Sequence, residues 1–287
     1  MSFSEKISKS SISQPTQEEF LLAAGKGDVD VIRNGLKTIN PTTHLQAKEV
    51  FKTLFEEDKD KATNFDYNSI EVACLKNQAG VIDVLLQDER VKNVLNEKDV
   101  RGQTVLHLIA SKTGTKNIAQ KLLDAGVKID AVDSRGQTAF GRAVQYDNRE
   151  LVELYLAHDE AHPKDEKAEL DKYIFSVLSN IVEEYAHGHL VNFSADADGI
   201  TPLYFAINNA NNPDNLENGK IMVSLLLKHG ANPLQIIDKE QTLIQMAQKR
   251  KVPKDIIIML QDKAKEIEAR AKRLQESPEA SEELGET

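Results

Sequence analysis

Four threonines recur at regular intervals in this chain, at Thr104, Thr138, Thr201 and Thr242, and each one opens a similar apolar phrase. The first spacing is 34 residues and the second, 63 residues, is close to two periods of about 33. The third spacing, 41 residues, equals one period plus about eight inserted residues. A repeat of this length indicates a one-dimensional stack of small units. Such a stack more often presents a binding surface than encloses a pocket.

The residues around each threonine predict how one repeat folds. Asp99 and Gly102 suit a tight hairpin-like turn, because glycine adopts positive φ without strain. Thr104 can cap the following helix through its side-chain oxygen. Pro202 stands at a first helical position, where its missing N–H costs nothing. A second apolar segment then ends at Gly126, as helices often end on glycine. Each repeat is therefore predicted to be a turn followed by two short helices.

The phrase Gly102-Gln103-Thr104-Val105-Leu106-His107 and the segment Leu122-Leu123-Asp124-Ala125-Gly126 resemble the ankyrin repeat. That family has a turn, a helix that begins T-P-L-H, and a second helix that ends LLxxGA. The resemblance implies an all-α ankyrin-repeat solenoid of about six to seven helix-turn-helix units, some degenerate, with an extended C-terminal helix. The clearest units span residues 99–132, 133–165, 196–236 and 237–270. Weaker units flank them, and a degenerate unit is expected between 165 and 195. No repeat has an intact T-P-L-H, and only His107 keeps the family's turn-bracing histidine, so we expect less uniform stacking than in a consensus array.

The organisation that follows has a flexible N-terminal tail at residues 1–15, a repeat domain at 16–270, and the end of the C-terminal helix with an acidic disordered tail at 271–287. Two insertions interrupt the domain. Residues 40–65 are predicted to be a helical insertion, because Val50 and Leu54 lie one turn apart on an apolar face. Residues 208–219 are rich in Asn, which predicts an exposed loop. Apolar residues between 254 and 275 fall near one face, which predicts a long helix that caps the stack.

The composition of the chain indicates its cellular compartment and limits its classes of partner. The single cysteine, Cys74, allows no intramolecular disulfide, which favours a reducing compartment. The first residues lack the apolar run of a signal peptide, and no apolar stretch reaches membrane-spanning length. The net charge of −10 argues against binding to nucleic acid or to anionic membranes, both of which need basic patches. We expect a monomer in the cytoplasm, or in the cytosol of a host cell if the protein is exported.

Candidate chemistry is sparse. His158 and His162 could share a helix face and ligate zinc, but this spacing supplies no third ligand, so we expect no metal site. Cys74 has apolar neighbours typical of a packed helix, and no phosphate-binding loop or nucleophile elbow is present. We therefore expect no catalytic residues, no cofactor and no enzymatic activity. The alternative, an enzyme or enzyme regulator with a site in residues 40–65 or 160–195, stays open.

The family resemblance also implies where a partner would bind. Ankyrin arrays bind proteins through their hairpin tips and the exposed side of their first helices, which together form a concave groove. Carried over by position, this implies ten partner-binding residues: Arg101, Gln103, Lys112, Ser134, Arg135, Gln137, Gln145, Tyr146, Asn208 and Asn209. Arg135 and Tyr146 are the expected anchors, because Arg and Tyr are enriched in interface hot spots.

The main functional hypothesis is a non-catalytic module that binds another protein. The degenerate repeats and the Glu-rich C-terminus also resemble ankyrin-repeat effectors, virulence proteins that intracellular bacteria export through type IV secretion. In that reading the acidic residues 276–286 would help translocation. An endogenous cytosolic scaffold is a further alternative, and the residues do not separate it from an effector.

Overall fold

The structure is a computed structural model that describes residues 14–45, 48–55, 66–162, 189–192, 200–237 and 241–276. The chain divides into two compact units, Met1–Ser134 and Arg135–Thr287. The described part is mostly helical. The predicted acidic tail from residue 277, almost all of the N-terminal tail and most of the degenerate repeat at 165–195 lie outside the described residues.

The first unit is built from helix pairs. Its described helices are α1 (Gln17–Lys26), α2 (Val29–Gly35), α3 (Lys48–Leu54), α4 (Ser69–Leu75), α5 (Ala79–Leu85), α6 (Glu89–Val94), α7 (Val105–Ile109) and α8 (Lys116–Asp124). The pairs are α1 with α2, α4 with α5, and α7 with α8. The first helices of successive pairs pack together in the order α1, α4, α7, and the second helices pack in the order α2, α5, α8. This confirms the predicted stacking, including the weaker N-terminal repeats.

The second unit continues the pattern with longer helices. Its described helices are α9 (Ala139–Gln145), α10 (Arg149–Ala161), α11 (His189–Asn192), α12 (Pro202–Ala210), α13 (Leu216–Lys228), α14 (Leu243–Lys249) and α15 (Lys254–Glu276). Helix α9 packs on α10 and α12, α12 packs on α13, and α15 packs on α13 and α14. A short antiparallel pair, Ile236–Ile237 with Gln241–Thr242, precedes α14. The long C-terminal helix is confirmed. Across the described residues, no helix combines the length and the apolar character that crossing a membrane requires.

Reciprocal caps set where the first helices begin. At α7 the backbone N–H of Thr104 donates to Nδ1 of His107 at 3.2 Å, and His107 is fully buried. The histidine therefore braces the helix start, as the resemblance implied. Equivalent pairs stand at the starts of α4 and α14, namely Asn68 with Glu71 and Thr242 with Gln245. Different residue types thus perform one capping role.

Two asparagines tie consecutive repeats together inside each unit. Asn96 donates from Nδ2 to the carbonyl of Gly126 at 3.1 Å and accepts from the N–H of Lys128 at 2.7 Å. Asn192 makes the same pair of bonds with the carbonyl of Gly230 and with the N–H two residues further on, both at 2.8 Å. Helix α11 therefore occupies the end of a repeat, and the rest of the degenerate repeat expected there lies outside the described residues.

The Asn-rich segment at 208–219 differs from the predicted loop. Helix α12 runs through Ala210, and after a 3-10 turn at Pro213–Asn215 helix α13 begins at Leu216. Gly219 explains the difference, because it is buried inside α13 where a Cβ would overlap the backbone of Ala210. The inserted residues mainly lengthen two closely packed helices, and the connection between them is short.

Candidate protein-binding surface

The helical insertion covers the first-helix face of the first unit. Three side chains of α3 form one buried cluster with the first helices: Val50, Phe51 and Leu54 pack with Leu22, Val72 and Leu108. Gly25 permits the close approach, since a Cβ there would lie 2.5 Å from Leu54 Cδ1. Lys76 donates from Nζ to the carbonyl of Leu54 at 2.7 Å, which places a cation at the C-terminus of α3. This face is filled by the chain itself and is not available to a partner.

The corresponding positions of the second unit have a different chemistry. Val72 and Leu108 each stand four residues after the capping residue of their helix. Four residues after Thr138 in α9 the residue is Arg142, and the same position in α12 is Phe205. Both side chains are partly exposed. The repeat position that is apolar and covered in the first unit is therefore cationic or aromatic, and accessible, in the second.

Arg142 lies on α9, next to Tyr146, the residue that follows this helix. The guanidinium of Arg142 is 5.9 Å from the ring centre of Tyr146, whose side chain is exposed at 54%. Nε and Nη1 of Arg142 are buried, and neither has a hydrogen-bond partner among the described residues. Asn209 of α12 joins this end of α9, because its Nδ2 donates to the carbonyls of Val144 and Gln145 at 3.1 and 3.2 Å.

A second arginine extends the surface to α14. Arg250, the residue that follows α14, lies with its guanidinium 5.4 Å from the ring centre of Tyr204 on α12. It also donates to Oδ1 of Asn208. The ring of Tyr204 meets that of Phe205 edge to face, with centroids 5.7 Å apart. We define the arginine–tyrosine surface as these side chains on α9, α12 and α14: Arg142, Tyr146, Tyr204, Phe205, Asn208, Asn209 and Arg250.

The predicted partner-binding residues divide between the units. Gln137, Gln145, Tyr146, Asn208 and Asn209 belong to the second unit, where the last four border or form the arginine–tyrosine surface and Gln137 donates to Oε1 of Gln145 at 2.9 Å. Arg135, also in the second unit, is exposed. Arg101, Gln103, Lys112 and Ser134 belong to the first unit.

The first-unit hairpin explains why one predicted residue is inaccessible. Oδ1 of Asp99 accepts the backbone N–H groups of Arg101 and Gln103, both at 2.8 Å. Gln103 closes this turn and is only 2% exposed. It therefore does not lie at the surface, contrary to the prediction that it contacts a partner. The guanidinium of Arg101 bonds the same aspartate at 3.4 Å. Ser134 is exposed, and Lys112 is partly exposed.

Sequence reasoning missed Arg142, Tyr204, Phe205 and Arg250. One signal was available. Arg142 places a charge where the neighbouring repeat has Leu108, and a charge at a position that is otherwise apolar is a reason to examine it. The contribution of Arg250 depends on packing between α12 and the end of α14, which the sequence does not reveal.

Cys74 and the histidines of α10 do not form a catalytic or metal site with other described residues. Burial raises the pKa of the Cys74 thiol far above its usual value, so the thiol stays protonated and inert. The rings of His158 and His162 stack with centroids 4.3 Å apart, while Glu160 pairs instead with His229 at 2.7 Å. Within the described ranges no group of three or more His, Cys, Asp or Glu side chains is placed to hold a metal ion.

A family model described as ankyrin repeats in three copies matches residues 70–167, and a single ankyrin-repeat model matches residues 198–239. Two curated proteins match short segments. Tyrosine-protein kinase HTK16 of Hydra vulgaris is 28% identical over 92 residues, which are 32% of this chain and 12% of that protein. Serine/threonine-protein kinase 12 of Arabidopsis thaliana is 32% identical over 68 residues, which are 24% of this chain and 15% of that protein.

Solved structures match over most of the chain. An ankyrin repeat domain from Acinetobacter baumannii superposes with a TM-score of 0.60 at 18% identity, covering 86% of this chain and 98% of that one. The ankyrin repeat domain of Bcl-3 gives 0.53 at 18% identity, with coverage of 87% and 84%. A chain from the complex of the Bdellovibrio bacteriovorus predatory endopeptidase Bd0816 with immunity protein Bd3460 gives 0.54 at 19%, with coverage of 87% and 99%. At these identities the likeness concerns the fold alone.

Proposed function

We propose, since the chain belongs to the ankyrin-repeat family, that it is a protein-binding module whose partner docks on the second unit. One observation carries the proposal. The first-helix face is packed by α3 in the first unit, whereas its counterpart in the second unit carries partly exposed Arg142 and Phe205. A partner that uses the binding face implied by the family therefore finds it open on α9 and α12.

The side chains there are suited to protein recognition. Tyrosine and arginine dominate the binding energy of many interfaces, because they combine a large contact area with polar groups. Tyr146 is the most exposed aromatic side chain of the arginine–tyrosine surface. Arg135 is exposed in the turn that leads into α9, and it is proposed as a second contact. Gln137, Gln145, Asn208 and Asn209 supply amides for the rim of the interface.

The remaining predicted residues form a weaker candidate. Arg101 is held by Asp99 in its own turn, which reduces its freedom to meet a partner. In the first unit, Ser134 is exposed and Lys112 is partly exposed. We keep these residues as a proposal for a secondary contact and leave out Gln103, which is buried.

The module is proposed to act by occupancy and without chemistry. Glu160 pairs with His229 and does not join the stacked rings of His158 and His162, which supports this proposal as far as the described residues of 160–195 extend. In residues 40–65, the described side chains of α3 fill an apolar cluster, which argues against a catalytic site in that part of the insertion. Export as a bacterial effector and service as a cytosolic scaffold remain proposals. A secretion reporter fused to the chain with and without residues 275–287 tests the first, and equal export would remove it.

The docking proposal is tested by crosslinking capture from a candidate cell lysate, read by mass spectrometry. The double variant Arg135→Glu with Tyr146→Ala is expected to lose the crosslinked partner while its thermal unfolding stays unchanged, since both side chains are exposed. The matched control is Arg33→Glu, which reverses a 63% exposed arginine on α2 of the first unit. Full capture by the double variant would place the interface elsewhere.

A further inference from the structure

We infer that the partner segment received by the arginine–tyrosine surface is acidic, with a carboxylate that pairs with Arg142 and apolar side chains that cover Tyr204 and Phe205. The inference rests on the proposed function and names the chemistry of the partner. It follows from the Arg142 guanidinium, of which two nitrogens lack an acceptor among the described residues, from the neutral contacts of Arg250, and from the aromatic pair on α12, the helix that packs on α9 and contacts Arg250.

The Arg142 side chain is partly exposed, but part of its guanidinium is buried without a hydrogen-bond acceptor from the described residues. Its Nε and Nη1 are buried and have no acceptor within the described part of the chain. Buried donors without partners are rare in folded proteins, because each one has lost its bonds to water. A carboxylate that meets the accessible part of this side chain would balance its charge, because charge-assisted bonds between arginine and carboxylate are strong. The neighbouring Tyr146 ring, at 5.9 Å, holds the guanidinium in place and is itself exposed to a partner.

Other arginines of the described chain show how this protein neutralises its own guanidinium groups. Four of them bond a carboxylate of the same chain: Arg33 with Asp30, Arg90 with Asp88, Arg101 with Asp99 and Arg149 with Glu153. Within the described residues, Arg142 and Arg250 make no such pair. Arg250 is held by the amide of Asn208 and the ring of Tyr204, which position its charge without cancelling it.

The arrangement of the helices gives the surface a pattern. Helix α12 contacts α9 and supplies the partly exposed aromatic pair of Tyr204 and Phe205. Arg142 comes from α9 on one side, and Arg250 reaches α12 from the end of α14. An acidic segment that also carries an apolar residue matches this combination of cationic and aromatic side chains. The chain as a whole carries a net charge of −10, which opposes binding of a nucleic acid. A local cationic site on such a chain therefore favours a short acidic segment over a long polyanion.

Selection from a random linear peptide library displayed on phage tests the inference on the full chain. The wild type and the control Arg33→Met are expected to enrich peptides rich in Asp and Glu. The best peptide should bind Arg142→Met about tenfold or more weakly, because truncating one partner of a desolvated charge pair is costly. Its binding to the wild type should also weaken as salt rises. Arg250→Gln, at an exposed site, gives a second variant that is not expected to disturb folding.

The outcomes separate the inference from the proposed function. Peptides without acidic enrichment, or equal affinity for the wild type, Arg142→Met and Arg250→Gln, would overturn the acidic partner. If those peptides still lose binding to the double variant Arg135→Glu with Tyr146→Ala, the docking surface stands. If every selected peptide binds that double variant as well as it binds the wild type, both proposals are wrong. Arg142-dependent binding of a single-stranded oligonucleotide in place of acidic peptides would also overturn the inference.

Discussion

Replacing Gly102 by alanine tests how closely consecutive hairpins pack in the first unit. Gly102 has a φ of +73°, and a Cβ on it would lie 2.6 Å from the backbone nitrogen of Ser134 and 3.0 Å from the carbonyl carbon of Asp133. These are backbone atoms of the next hairpin, so they cannot rotate away as a side chain can. The amide of Ser134 also donates to the carbonyl of Arg101 at 2.9 Å, and the added methyl group would push this bond apart.

Gly126 provides a matched control in the same unit. Its φ is +90°, and a Cβ there would meet nothing within 4 Å. Gly126→Ala therefore carries only the left-handed backbone penalty, about 1–2 kcal/mol. Gly102→Ala carries the same penalty, and overpacking against fixed atoms adds about 1–3 kcal/mol. The free energy of unfolding should thus fall further for Gly102→Ala than for Gly126→Ala by about 1–3 kcal/mol.

Urea denaturation of the full chain, followed by far-UV circular dichroism, measures both variants against the wild type. Hydrogen exchange at the Ser134 amide reports the local effect, and it should speed up in Gly102→Ala more than in Gly126→Ala. Equal destabilisation by the two variants, within about 0.5 kcal/mol, would refute the reasoning, because the hairpin contact would then contribute nothing measurable.

Two further predictions concern the insertion. Phe51→Ala should lower the free energy of unfolding by about 3–5 kcal/mol, because the ring is fully buried and packs edge to face on Tyr67 at 5.6 Å. Lys52→Ala on the exposed side of α3 should change little in the same urea titration, and similar losses for both would contradict the burial. The hydrogen bond to Glu71 raises the pKa of His44 above 6.5, so its stabilisation is complete below pH 6.5 and is lost as pH rises through the raised value. His44→Gln should flatten the stability–pH curve above pH 6.5, and parallel curves for variant and wild type would count against this.

Local signals in the sequence predicted most of the helices. Thr104, Thr138 and Thr242 each begin a helix where the repeat phrase placed them, because capping depends on residues only three positions apart. The long C-terminal helix and the helical character of the insertion follow from apolar periodicity in the same way. These features need no knowledge of distant parts of the chain.

Features that depend on distant contacts were not predictable. The docking of α3 relies on Gly25, a position that matters because it lacks a side chain and lets Leu54 approach. Gly219 lies in a segment whose composition predicts a loop, yet it permits a close helix–helix contact with Ala210. The missing partner of Arg142 is likewise visible only once its surroundings are assembled. Composition and spacing do not distinguish a glycine that bends the chain from one that lets helices touch.

The loss of the family's histidine has different consequences at different helices. What the helix start requires is an acceptor, three residues after the cap, that reaches back to the N–H of the capping residue. A histidine ring nitrogen, a carboxylate and an amide oxygen all provide it, at distances of 3.2, 2.7 and 2.8 Å in His107, Glu71 and Gln245. These three helices therefore keep their starts despite the divergent sequence.

Helix α12 departs from this rule. Its capping-box position is Tyr204, and in place of a side-chain cap the helix has Pro202 at its first turn, where one fewer N–H needs an acceptor. Oγ1 of Thr201 is buried and has no partner in the part of the chain that is described. Tyr204 instead faces Arg250, with its hydroxyl 3.4 Å from Nη2. Tyr204 does not brace the helix start, and it links α12 to Arg250, the second arginine of the proposed interface. Sequence divergence at this position therefore supplies a side chain for binding, where the other repeats keep a side-chain cap.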